Sequence, residues 1–327
     1  MWPPISTRSA SADLLRGWPP PVLDPAGPYA SSITTLAWAL FAMGVAVTLL
    51  VVAAIGIAFF GGPRLKAKLG GTKAIWSLGI ALPVVVLTGL LVWGLTLTAH
   101  LSAPIRGDEM RIRVTGNMWW WEVVYLDGQR RPMLRDANEL HIPVGQPIVL
   151  ELESDDVIHN FWVPRLSGKL DMIPGRTNHM RIQADEPGQY GGICAEYCGG
   201  PHALMGFVVV AHEPAAFARL MADKLRPRAA APANAAVQRG SELFLTTGCA
   251  ACHRIAGTPY NGAAGPDLTH VGTRRSLGAG ILPNNRGTLM GWIGNSQAIK
   301  PGNRMPPYTM LSGQDLQALA AYLEAQK

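Results

Sequence analysis

Cys194-Ala-Glu-Tyr-Cys-Gly-Gly-Pro-His-Ala-Leu-Met205 places two thiols, an imidazole and a thioether in one short stretch. Two thiolates four residues apart can both bridge a pair of metal ions, while His202 and Met205 add one nitrogen and one weak sulfur donor. Soft sulfur combined with imidazole suits copper in electron transfer, with the weak methionine adjusting the potential. A further nitrogen must come from elsewhere in the chain. His159, in Asp156-Val-Ile-His-Asn-Phe-Trp162 at the end of an expected strand, is the candidate. The alternatives are a Cys194–Cys198 disulfide or a zinc site of two Cys and two His. A methionine at a fixed offset fits neither well.

The other two cysteines of the chain lie in Cys249-Ala-Ala-Cys-His253, a c-type haem attachment pattern. Two thioether bonds would fix the porphyrin while the adjacent histidine reaches the iron. A second axial ligand is expected to be a methionine in a downstream loop, because Met/His ligation raises the potential as electron carriers require. Met290, Met305 and Met310 are available. Met305 is preferred, with Met310 second, since the prolines of Arg304-Met-Pro-Pro-Tyr308 stiffen its loop. Zinc bound by Cys249, Cys252, His253 and His270 is the alternative, at a spacing poor for a zinc knuckle.

Outward from these motifs the chain of 327 residues, 48% of them hydrophobic, divides into several parts. No charged residue occurs over 26–63, and the apolar runs 36–60 and 75–97 match the roughly 20 residues that cross a hydrocarbon core. Neither shows a polar stripe at helical spacing, so two membrane helices are expected, at about 34–60 and 75–98. The intervening loop carries Arg64, Lys66, Lys68 and Lys73 and no acid, which marks it as cytoplasmic. Everything beyond about residue 101 then lies on the outer, periplasmic face of a bacterial inner membrane. Residues 1–30 read as an exposed Pro- and Ser-rich tail. Residues 101–225 read as an all-β sandwich, from short strands punctuated by Gly, Pro and Asp. Residues 226–237 read as an Ala/Pro linker, and 238–327 as a small helical domain opening with a helix over 238–246 and closing with one capped by Ser312.

The blocks Asp155-Asp-Val-Ile-His-Asn-Phe-Trp-Val-Pro164, Lys169-Leu-Asp-Met-Ile-Pro-Gly-Arg176 and 194–205 together resemble subunit II of haem-copper cytochrome c oxidase over residues 25–225. The resemblance implies a cupredoxin fold holding the dinuclear copper centre CuA. Its ligands would be His159, Cys194, Cys198, His202, Met205 and the backbone carbonyl of Glu196, whose side chain in the family also reaches magnesium at the subunit I interface. Trp119, first of the run Trp119-Trp-Trp121, matches the family residue associated with electron uptake, although an aromatic residue on a sandwich strand is as often core. Two departures from the family stand out. Asn117-Met118 replaces a common His-Gln, and Lys73 stands where many members carry a Glu near a proton channel. With the C-terminal domain, similar to a class I cytochrome c, the whole resembles subunit II of a caa-type oxidase.

That resemblance implies a path from an external donor, such as a cytochrome c or a cytochrome bc complex, to haem c, to CuA, and to the haem-copper centre of subunit I. Oxygen would be reduced to water there with proton pumping. The expected partners are subunit I, subunit III, the donor and the lipid membrane, with no nucleic acid. A CuA-containing nitric oxide reductase is the alternative. A metal-free quinol oxidase subunit conflicts with the intact copper ligand set, and a soluble nitrous oxide reductase with the two spans. Residues 101–225 hold 12 Lys/Arg against 16 Asp/Glu, while 238–327 hold 8 against 4. Opposite signs predict that the haem domain docks on the sandwich near Trp119.

Overall fold

The computed structural model describes residues 20–226 and 234–327. The chain divides into two compact units, residues 31–104 and the remainder. In the smaller unit, α1 (Pro28–Phe60) is followed by the short basic helix α2 (Pro63–Leu69) and by α3 (Thr72–Leu101). Both long helices are apolar enough to cross a membrane, and neither apolar window is buried within the protein. Trp38, Leu49, Phe59, Val85 and Leu95 are all exposed. Helices apolar on every face belong in hydrocarbon. They extend beyond the expected 34–60 and 75–98 because proline suits the first turn of α1 and Gly71 gives α3 an extended N-cap. Within α3 the segment Ile75–Ala81 is a π-helix, and Pro83, which lacks an N–H, lies just past it.

Ten strands build the sandwich: β1 (Met110–Asn117), β2 (Trp120–Leu126), β3 (Pro132–Ala137), β4 (Glu139–Pro143), β5 (Ile148–Ser154), β6 (His159–Trp162), β7 (Lys169–Met172), β8 (Asn178–Ile182), β9 (Gly188–Cys194) and β10 (Gly206–His212). They form two five-stranded sheets, in the orders β3-β2-β1-β5-β8 and β4-β10-β9-β6-β7. The β1·β5 and β4·β10 pairs are parallel and the other pairs antiparallel. Ile112, Val114, Leu150 and Leu152 bury one sheet's inner face against Phe161 and Val209 of the other. Trp121 sits edge-on to Phe161 at 5.9 Å and 4.9 Å from Phe207. Each such buried side chain contributes about 1.5–3 kcal/mol, so the sheets are held by these facing residues.

Of the expected exposed tail over 1–30, residues 21–24 are exposed, while the segment around Ala26 is bonded to the sandwich. Ala26 donates its N–H to the Arg165 carbonyl at 2.7 Å and accepts from the Asp185 N–H at 2.9 Å, while Asp24 pairs with Arg165 at 2.9 Å. Pro20 and Ala30 are buried. An extended segment satisfying backbone groups of the sandwich leaves no hydrophobic period to read. Residues 1–19 lie outside the described residues.

After α4 (Pro214–Leu225), the expected linker over 226–237 is shorter at its far end. Asn234 caps α5 (Ala235–Thr246) by accepting from the Val237 N–H, and alanines then extend the helix a turn before the expected residue 238. Residues 227–233 lie outside the described residues. The domain continues with α6 (Cys249–Cys252), a two-stranded pair of β11 (Ser276–Leu277) and β12 (Leu282–Pro283), α7 (Arg286–Ile299) and α8 (Gly313–Glu324), the last capped by Ser312. Helices α5 and α8 cross at Gly240, where a Cβ would lie 2.1 Å from the Ala318 carbonyl oxygen and 2.6 Å from Tyr322 Cβ. Gly240→Ala is therefore expected to wedge the crossing apart and cost about 3 kcal/mol. Denaturant unfolding followed by circular dichroism reads it, and an unchanged midpoint would show that the helices separate freely.

Candidate metal and haem centres

The loop between β9 and β10 starts at Cys194, which pairs with Phe161 of β6, and is closed by the Cys194 N–H donating to the Met205 carbonyl at 3.1 Å. A single 3-10 turn, His202–Leu204, presents His202 and Met205 to the same point. Cys194 Sγ lies 3.8 Å from both Cys198 Sγ and His159 Nδ1, and 3.2 Å from the Glu196 carbonyl oxygen. Cys198 Sγ lies 3.5 Å from His202 Nδ1 and 3.8 Å from Met205 Sδ. Both cysteines are free thiols, and the ligand atoms of His159, Cys194 and Cys198 fall within 4.8 Å of one another. His159 is fully buried; its Nε2 meets Asp156 Oδ1 at 2.8 Å, which turns Nδ1 toward sulfur. A Cβ at Gly116 would come within 2.7 Å of that ring, so only glycine leaves room for it.

Charge in this pocket is poised for a cation. The hydrogen bond from Cys198 pulls the Cys194 thiol down to about 4 against its burial, with His159 adding to the effect. Cys198 moves the other way, because the thiolate of Cys194 holds its proton and burial disfavours a second charge. Soft cations between the sulfurs would let both thiolates form at once, so the donor set fits copper.

At the second centre, Cys249 and Cys252 occupy one helical turn, both free and neither buried, with His253 directly after. His253 Nδ1 meets the Pro266 carbonyl at 2.8 Å, leaving Nε2 for an iron. Gly265 crosses so near that a Cβ there would sit 2.7 Å from His253 Cε1. Burial holds His253 below its usual pKa, and the Arg274 charge works in the same direction, so the ring is neutral. Among the methionines, Met305 and Met290 pack against the helical core while Met310 is 76% exposed. Met305 is fixed from both sides: Asn303 accepts from its N–H at 2.9 Å, and Gln297 donates to its carbonyl at 2.9 Å. The residues fit a covalently attached haem.

The helical domain lies against the sandwich beside the copper loop. Trp119 donates its indole N–H to the Cys198 carbonyl at 3.0 Å, while Trp121 is core. Lys300, only 2% exposed, donates to the Trp119 carbonyl at 2.7 Å and the Gly278 carbonyl at 3.0 Å, and burial pulls its pKa down to about 7. The Gly206 N–H donates to the Ala279 carbonyl at 3.1 Å. Arg304, next to Met305, stands 3.6 Å from Asp156, the partner of His159. Asp136 pairs across the same face with Arg274 at 2.7 Å. Asp156, Lys300, Asp136 and Arg274 were not among the expected site residues. Only Asp156, three positions before His159, carries a local signal.

Residues 122–212 match the family described as cytochrome c oxidase subunit II, periplasmic domain, and residues 237–327 match cytochrome c. Cytochrome c oxidase subunit 2 of Alkalihalophilus pseudofirmus is 36% identical over 82% of this chain and 77% of its own length. The chain belongs to the cytochrome c oxidase subunit II family. Its Bacillus subtilis relative is 32% identical over 67% of this chain and 63% of its own length. A crystal structure of the periplasmic domain of subunit II of cytochrome oxidase from Bradyrhizobium japonicum is 31% identical, over 37% of this chain and 95% of that one, with a TM-score of 0.32. As an oxidase subunit II, the chain belongs to an oxidoreductase and partners the catalytic subunit I. Its subunit II domain implies copper and its cytochrome c domain implies haem c, serving electron supply to the oxidase. Its two apolar helices anchor it to the membrane.

Proposed function

We propose that this subunit takes electrons from an external cytochrome donor at haem c, passes them to a dinuclear CuA centre, and delivers them to the haem-copper centre of subunit I, where oxygen is reduced to water with proton pumping. His159, Cys194, Cys198, His202, Met205 and the Glu196 carbonyl would hold the copper pair, and Cys249, Cys252, His253 and Met305 the haem. The observation that carries this reading is the contact chain between the two sites. The loop that fixes Met305 contains Lys300, Lys300 bonds the Trp119 carbonyl, and the Trp119 indole bonds the Cys198 carbonyl. Trp119 thereby touches both the copper loop and the segment that leads to Met305, which supports a role in transfer.

The exposed Glu196 carboxylate is free to reach a magnesium ion at the subunit I face. The basic loop of α2 and Lys73 supports a two-span topology with the metal domains on the periplasmic side. Lys73 is not an acid, so any proton route of subunit I proceeds without one at this position.

Low-temperature electron paramagnetic resonance tests the dinuclear assignment. A mixed-valence spectrum is expected, and an ordinary four-line single-copper spectrum would refute it. For the haem, Met305→Ala should open the iron to exogenous ligands and lower its potential, whereas exposed Met310→Ala should do neither. Carbon monoxide binding and redox titration distinguish the two outcomes, and the reverse pattern would move the ligand to Met310.

A further inference from the structure

Asp136 lies on β3 with no solvent exposure, and both its oxygens are taken: Lys224 of α4 at 2.7 Å and Arg274 of the helical domain at 2.7 Å. Arg274 does not end there. Its Nη2 also donates to the carbonyl of Asp267. That residue follows Pro266, whose carbonyl accepts from His253 Nδ1 at 2.8 Å. The Asp267 carboxylate is turned back into its own loop, where Oδ1 accepts from the Thr269 N–H at 2.8 Å. The neighbouring residue is captured too, with the Arg275 N–H donating to Glu139 Oε2 of β4 at 2.9 Å. Asn284 braces the segment from behind, donating to the carbonyls of Val271 and Arg274 at 2.6 and 2.8 Å.

We propose that Arg274 is the positioning residue for the proximal histidine of haem c, and that the sandwich completes this side of the haem site through Asp136. The inference rests on the reading of His253 as the iron ligand. One planar guanidinium spans two acceptors that belong to different domains, a carboxylate of the sandwich and a carbonyl of the haem loop. A lysine ammonium, a point charge on a flexible stem, does not reproduce that fork. Arg274 is buried and bonded directly to the loop that holds His253. Its positive charge favours the reduced haem, and the Asp136 carboxylate paired with it works against that effect. The redox potential of the tethered cytochrome is therefore a property of the docked pair and not of the helical domain alone.

The test uses the full-length membrane-anchored subunit loaded with haem and copper, and reads the haem c midpoint potential by spectroelectrochemical titration. Arg274→Gln is expected to lower it by on the order of tenfold in the one-electron equilibrium, about 59 mV, with the haem still covalently attached. Asp136→Asn removes a negative charge on the sandwich and changes no residue of the helical domain. It is expected to shift the same potential upward, and Arg274→Lys to recover part of the loss. If the haem attaches and neither Arg274→Gln nor Asp136→Asn moves the potential, the proposal is overturned. If Arg274→Gln prevents haem attachment, the sign of the Asp136→Asn shift decides, a value unchanged or lowered overturning the coupling. Failure of the underlying reading looks different: His253→Ala would then keep an unaltered haem spectrum.

Discussion

Cys198→Ser is expected to abolish the mixed-valence copper signal and to lower oxidase turnover by at least about 100-fold. Ligand neighbours alone typically cost 10–100-fold when removed, and Cys198 is more than a neighbour. Its sulfur stands within 3.5–3.8 Å of His202, Met205 and Cys194, so it joins both halves of the site. Serine offers a hard oxygen whose proton is far harder to remove, and a hard donor does not hold copper in the way that a thiolate does. Cys194→Ser should behave likewise. Met205→Leu should differ in kind, keeping two coppers per chain while shifting their potential, because a buried thioether is a weak donor whose shape leucine nearly replaces. Metal analysis and electron paramagnetic resonance separate the cases. A Cys198→Ser protein that retains two coppers and the unmodified spectrum would remove Cys198 from the centre.

The copper loop was legible because its donors are close in sequence and its turn geometry is local: one strand end, one 3-10 turn and one strand start bring Cys194, Cys198, His202 and Met205 together. His159, distant in sequence, was reached through its strand, and the β6·β9 pairing is what delivers it. The run of three tryptophans was ambiguous by nature. Alternation along a strand gives no way to tell that Trp121 faces the core while Trp119 turns toward Cys198. The docking face was legible only in sign. Opposite net charges indicated attraction, but Asp136, Lys224 and Arg274 are separated by 88 and 138 positions, and no sequence period links them. Buried ion pairs of this kind are also less sensitive to salt than the exposed charges on which the sequence reading relied. The segment before α1 escaped notice for a related reason. Backbone pairing such as that of Ala26 requires no particular side chain.

Replacing Cys249 and Cys252 together by Ala should remove the covalently bound haem and cut turnover with a cytochrome donor by at least about tenfold. Both thiols are needed for the two thioether bonds, and a haem held only through His253 is lost on denaturation, so haem staining on a denaturing gel should show no band. The copper loop keeps its donors, since none of its ligands comes from the helical domain. The mixed-valence signal should therefore survive. What fails is delivery. The helical domain covers the Trp119 side of the copper loop through Lys300, whose side chain is buried there, so a donor protein does not gain that surface while the domain stays docked. A small diffusible reductant that reaches copper without a docking surface should then restore turnover, which localises the block upstream of copper. If the doubly substituted enzyme oxidises its cytochrome donor at the unmodified rate, electrons reach copper without the fused cytochrome, and the order of centres proposed for this subunit is wrong.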